Sequence, residues 1–67
     1  MLFQNEHPGE EVYNRGIRHW KMQNLEQTIS DLKQSIEIEP YNMRYWAALL
    51  QALTEAGRYE EAKMSEY

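Results

Sequence analysis

Two histidines, His7 and His19, are the residues most capable of metal or acid–base chemistry, and they stand twelve positions apart. No HExxH pattern or paired ligand spacing surrounds them. His19 falls on an apolar helical stripe and reads as a packed, hydrogen-bonded core histidine. No G-x-S-x-G elbow is present, and no nucleophile has a base at a recognisable spacing. Ser30-Asp31 reads as an exposed helix face. The pairs Glu37/Glu39 and Glu60/Glu61 read as solvated helix surface rather than a carboxylate dyad. The three glycines are scattered, so no phosphate-cradling loop exists. The expectation is a protein that is not an enzyme, with no catalytic residue, no metal ligand and no cofactor.

One basic run, Arg15-Gly16-Ile17-Arg18-His19-Trp20-Lys21, interrupts an acidic chain. It suits an acidic peptide or a phosphate, and combined with stacking on Trp20 it suits a nucleic acid. Eleven acidic residues against seven basic ones give a net charge of −4, which opposes phosphate backbones and anionic membranes. The simpler reading pairs Arg15 and Arg18 with nearby carboxylates such as Glu11, and no nucleic-acid partner is expected.

Whatever the chain does rests on few elements. At 67 residues it is one small domain, with no cysteine to add disulfides. No apolar run approaches a membrane span. The N-terminus lacks the three regions of a secretory signal. These features lead to an expected cytoplasmic location.

Hydrophobic spacing places the helices. Residues 1–9 form an arm with Leu2-Phe3 ahead of a Pro8-Gly9 turn. Residues 10–67 form the domain. A helix over about 10–22 carries Val12, Gly16 and His19 on one side and Tyr13, Ile17, Trp20 and Lys21 on another. Asn24, with Gln27, makes a capping box for a helix over 25–39, whose stripe is Leu25, Ile29, Leu32 and Ile36 with small Thr28 and Ser35 between. Pro40 ends it. Asn42 caps a helix over 43–56, whose stripe is Trp46, Leu49, Leu50 and Leu53. Gly57 is placed to stop it as a left-handed C′ residue. A last helix over 59–67 has Ala62 facing inward. No segment alternates long enough for a strand. The fold class is all-α, with antiparallel helical hairpins joined by short turns.

At an offset of 34, Val12 matches Trp46, His19 matches Leu53, Leu25 matches Tyr59 and Thr28 matches Ala62 in physical role. Only Glu26 and Glu60 are identical. Tyr13-Asn14-Arg15-Gly16, the small Thr28 and Ser35, Leu32, and Ile36-Glu37-Ile38-Glu39-Pro40 resemble the tetratricopeptide repeat family. So do Asn42, Trp46, Leu49 and Ala56-Gly57-Arg58-Tyr59-Glu60-Glu61-Ala62. The resemblance covers about 9–67, or one and three-quarter repeats. Arg15 stands where the family has leucine, Leu50 where it has a small residue, and Gln23 where it has the interhelix glycine.

The resemblance implies a short α-solenoid serving as a scaffold or adaptor, with a protein or peptide partner. Its concave groove would be lined by Tyr13, Ile17, Trp20 and Lys21, then Arg44, Ala47, Gln51, Thr54 and Glu55. A branch of the family that clamps acidic chaperone tails uses positions falling here on Tyr13, Ile17 and Ala48, and none matches. Solenoid units bury their faces against neighbours. An incomplete second unit leaves Leu50, Tyr59, Met64 and Tyr67 as a candidate self-association surface. The alternative function is therefore a homo-oligomeric assembly unit completed by a second copy.

Overall fold

The computed structural model describes the backbone of residues 7–64 and the side chains of residues 7–58. Three helices follow in order: α1 (Glu10–Lys21), α2 (Leu25–Ile38) and α3 (Met43–Met64). There is no strand among the described residues, and the chain is all-α as expected. Both α1 and α3 pack on α2, which lies between them in sequence.

α1 begins with Glu10 and Glu11 and ends with Arg18, His19 and Lys21, the charge order that suits its dipole. Its exit is a complete Schellman closure. The Asn24 amide donates to the His19 carbonyl and the Gln23 amide to the Trp20 carbonyl, both at 2.9 Å. Gln23 occupies the left-handed C′ position at φ 62°, where glycine is the favoured residue. Asn24 does precede α2, but the expected capping box does not form, because no side chain bonds the helix start. The Asn24 carbonyl instead accepts the Thr28 amide and the Thr28 hydroxyl, the latter at 2.9 Å.

α2 turns Leu32, Ile36, Thr28 and Ser35 inward. The buried hydroxyls bond carbonyls one turn back, Ser35 to Asp31 at 3.0 Å, so neither is left unsatisfied. Glu39 ends the helix in an extended conformation (φ −131°, ψ 80°), as a residue before proline prefers. Asn42 caps α3 as expected: its Oδ1 accepts the Arg44 amide at 3.0 Å.

α3 departs from expectation twice. It runs unbroken through Gly57 to Met64 instead of stopping and restarting at 59. No glycine in the described chain has positive φ, so Gly57 makes no left-handed stop. Arg58 and the residues after it are mostly good helix formers, and they carry the helix on. Its buried line is also rotated by one position, to Tyr45, Ala48, Leu49 and Ala52. The two alanines let α3 approach α2 closely, and Tyr45 gains a partner for its hydroxyl. Leu49 lies in the core as expected, whereas Trp46, Leu50 and Leu53 lie on a neighbouring flank, facing solvent. Leu2-Phe3 and the inward face of Ala62 lie outside the described residues and side chains.

Candidate functional site

The sequence-predicted groove residues divide into two sets. Tyr13, Trp20, Arg44 and Glu55 meet along the seam between α1 and α3. The Tyr13 ring stacks on Tyr45 with centroids 5.0 Å apart. The Arg44 guanidinium lies 5.2 Å above the Tyr13 ring, a cation–π contact. The Trp20 indole N–H donates to Glu55 Oε1 at 3.1 Å. These side chains hold α3 to α1, and Tyr13 and Trp20 pack against the core. Ile17 is half-buried nearby. Lys21, Ala47, Gln51 and Thr54 are exposed, and the Thr54 hydroxyl donates to the Leu50 carbonyl of its own helix. The seam is thus engaged within the molecule rather than open.

Two carboxylates missed as functional groups organise the rest. Asp31 is only 3% exposed, not part of a solvated face. Arg15 grips it twice, Nε to Oδ2 at 3.1 Å and a terminal nitrogen to Oδ1 at 2.9 Å. Arg15 therefore pairs across to α2, not with Glu11. The bond to Asp31 and its charge raise the Arg15 pKa further. His19 Nε2 lies 3.7 Å from Asp31 Oδ2, while the buried Nδ1 has no hydrogen-bond partner. His19 is packed as expected but not hydrogen-bonded as expected. A signal for Asp31 was present: it shares the stripe of Thr28, Leu32 and Ser35, opposite an arginine in a leucine position.

Glu39 likewise leaves the solvated surface assigned to it. Its Oε2 accepts the Tyr45 hydroxyl at 2.7 Å and the Gly9 amide at 3.0 Å, and Oε1 faces His7 Nδ1 at 3.4 Å. The Tyr45 bond, with those from Gly9 and His7, holds the Glu39 carboxyl below the usual carboxylate range. Burial, then the Glu39 bond, pushes the Tyr45 phenol up to about 12. This hub joins the starts of α1 and α3 to the end of α2. Gly9 has no room for a side chain there: a Cβ would lie 3.0 Å from the Ser35 carbonyl oxygen and 3.0 Å from the Tyr45 ring.

The open apolar surface is elsewhere. On one flank of α3, Met43 is 76% exposed, Trp46 46%, Leu50 68% and Leu53 44%. Leu50 is the described member of the predicted self-association surface and lies at its centre. The side chains of Tyr59, Met64 and Tyr67 lie outside the described ones. The Trp46 indole N–H donates to the Pro40 carbonyl at 2.8 Å, which tethers the ring while the residue stays about half exposed. Together the four residues line one exposed apolar flank of the helix.

Among the described residues no three His, Asp or Glu side chains gather as metal ligands would. No described helix is long and apolar enough to cross a membrane. No protein-family model, curated protein or solved structure matches the chain.

Proposed function

We propose that this chain is a non-enzymatic protein–protein interaction module of tetratricopeptide-like build. It docks a partner helix on the Met43–Trp46–Leu50–Leu53 flank of α3. The observation that carries the reading is the tethered Trp46 beside exposed Leu50. An aromatic anchor already held in place loses little freedom on binding, and tryptophan is prominent among residues that dominate interface energies. The packing of α1, α2 and α3 in chain order supports the repeat-like build. The seam between α1 and α3 is a poorer receptor, because Tyr13, Trp20, Arg44 and Glu55 already serve each other.

Selection of amphipathic helical peptides against the immobilised chain tests this. Selected peptides should shift the backbone amides of residues 43–53 in a nitrogen-15 spectrum. Leu50→Glu should weaken them at least ~10-fold with the circular dichroism unchanged, the scale expected when a central apolar contact is replaced by a desolvated charge. Peptides that shift the amides of Ile17 and Lys21 and leave those of Leu50 and Leu53 unmoved would move the site to the seam. A selection that yields no binder would end the reading.

A further inference from the structure

The flank has the spacing of a coiled-coil seam. Met43, Trp46, Leu50 and Leu53 recur at intervals of three, four and three, the a/d pattern by which two helices interlock. The next position in that series is Gly57. α3 also outruns its neighbours. Glu55 is bonded to Trp20, one residue before the end of α1, yet α3 continues to Met64. The stretch beyond Ala56 adds roughly 12 Å of helix past the α1–α2 turn. A straight helix cannot fold back to cover its own flank.

We propose that the occupant of this flank is a second copy of the chain, its α3 laid antiparallel across the first. This rests on the flank being a docking surface, and it adds what docks there. A two-fold arrangement is self-complementary: residue i meets j, and j meets i. With Leu50 of one copy on Leu53 of the other, Trp46 falls opposite Gly57. That register matches the largest side chain of the stripe to the residue with none. Among the described residues nothing lies within 4 Å of where a Cβ on Gly57 would sit, which leaves that side of the position to an incoming indole. Four leucines close the centre. The positions of the seam from Met43 to Gly57 are all uncharged, so within that stretch the two copies meet no like charges, and their repulsion comes from the rest of each chain's net charge of −4. Added salt should therefore tighten the pair, whereas phosphate-type contacts would loosen. A seam this short lies below the ordinary range of stable interfaces, so the pair should be weak, with a dissociation constant of micromolar or above.

Light scattering on a size-exclusion column tests this from roughly 5 µM to 1 mM, a range set by that affinity. The mass should climb from 8.1 kDa toward twice that value. Leu50→Glu should hold the monomer mass with helicity intact. Gly57→Gln separates docking from folding: it should keep or raise helicity, since glutamine is the better helix former, yet weaken the pair at least ~10-fold by filling the space opposite Trp46. The chain has no cysteine, so single thiols report geometry. An oxidised mixture of Leu50→Cys and Leu53→Cys should give a covalent heterodimer, and Ser30→Cys on the exposed side of α2 should not. A strictly monomeric chain at 1 mM overturns the proposal, as does a dimer indifferent to both Leu50→Glu and Gly57→Gln. A monomer whose 43–53 amides still respond to amphipathic helical peptides overturns the second copy alone and leaves the docking surface standing. A monomer whose 43–53 amides shift when residues 1–6 are removed also overturns it, and makes the N-terminal arm the occupant. A monomer that does neither ends both readings.

Discussion

Arg15 and Asp31 clasp α1 to α2 through two parallel hydrogen bonds, with the carboxylate almost wholly buried and the guanidinium half in water. Such a fork fixes both the spacing and the rotation of the two helices. Removing only the arginine strands a buried carboxylate, which is worse than removing both charges. Arg15→Ala should therefore lower the thermal midpoint more than the double replacement Arg15→Leu/Asp31→Leu. Arg15→Lys should not restore it, because an ammonium cannot reproduce the planar fork. A double-mutant cycle followed by thermal circular dichroism checks both outcomes.

Gln23 sits at φ 62° in the closure between α1 and α2. A side chain in the left-handed region costs about 1 kcal/mol, and glycine avoids that cost. Gln23→Gly should raise the melting temperature by roughly 4–8 °C. Gln23→Val should lower it, since a branched Cβ fits that region worst. Differential scanning calorimetry on the three proteins decides the matter.

The Glu39 hub ties stability to pH at both ends of the scale. Glu39 has a lowered pKa in the folded chain, so its contribution is present above the unfolded value near ~4.3 and is lost as pH falls through the folded value. Tyr45 is raised to about 12, so its contribution is full below the unfolded value and is lost as pH climbs from ~10 toward the folded value. The urea midpoint should fall below about pH 4 and again above about pH 10. In Tyr45→Phe the alkaline fall attributable to this phenol should disappear, and the acid fall should become shallower.

Gly16 is the contact point of α1 on α2: a Cβ there would lie 3.1 Å from the Asp31 Cβ. That neighbour belongs to a helix and cannot swing aside. Gly16→Val should destabilise by about 2 kcal/mol through overpacking. The urea midpoint should drop with little change in slope, because the surface exposed on unfolding stays similar.

Apolar periodicity was enough to place α1, α2 and the start of α3, since Pro40, Asn42 and the Leu32–Ile36 stripe act locally. It misjudged what depends on a neighbour. Gly57 looks like a stop, but a glycine stops a helix only by turning left-handed, and here it does not. Trp46, Leu50 and Leu53 make the more apolar stripe of α3, yet the core takes Tyr45, Ala48 and Ala52. Close approach favours alanine, and the tyrosine hydroxyl has Glu39 to bond. Asp31 and Glu39 read as surface because carboxylates usually are. Only the three-dimensional placement of Arg15, Gly9 and Tyr45 makes burying them tolerable. For the candidate site, Leu50 was legible as uncovered. The tether from Trp46 to Pro40 was not, because a side-chain bond to a turn carbonyl leaves no trace in spacing.

The packing of α2 between its two sequence neighbours also sets how the chain folds. The α1–α2 and α2–α3 hairpins each close over a turn of only a few residues, so the contacts within each hairpin close short loops. The stack of Tyr13 on Tyr45 and the bond from Trp20 to Glu55 must wait until both hairpins exist. Most native contacts are thus short-range in sequence, a feature of fast, low-contact-order folders. α2 is the expected shared nucleus: a change that weakens it should slow folding, while a change in α1 or α3 should act mainly on the unfolding rate, and φ-values across the three helices check this.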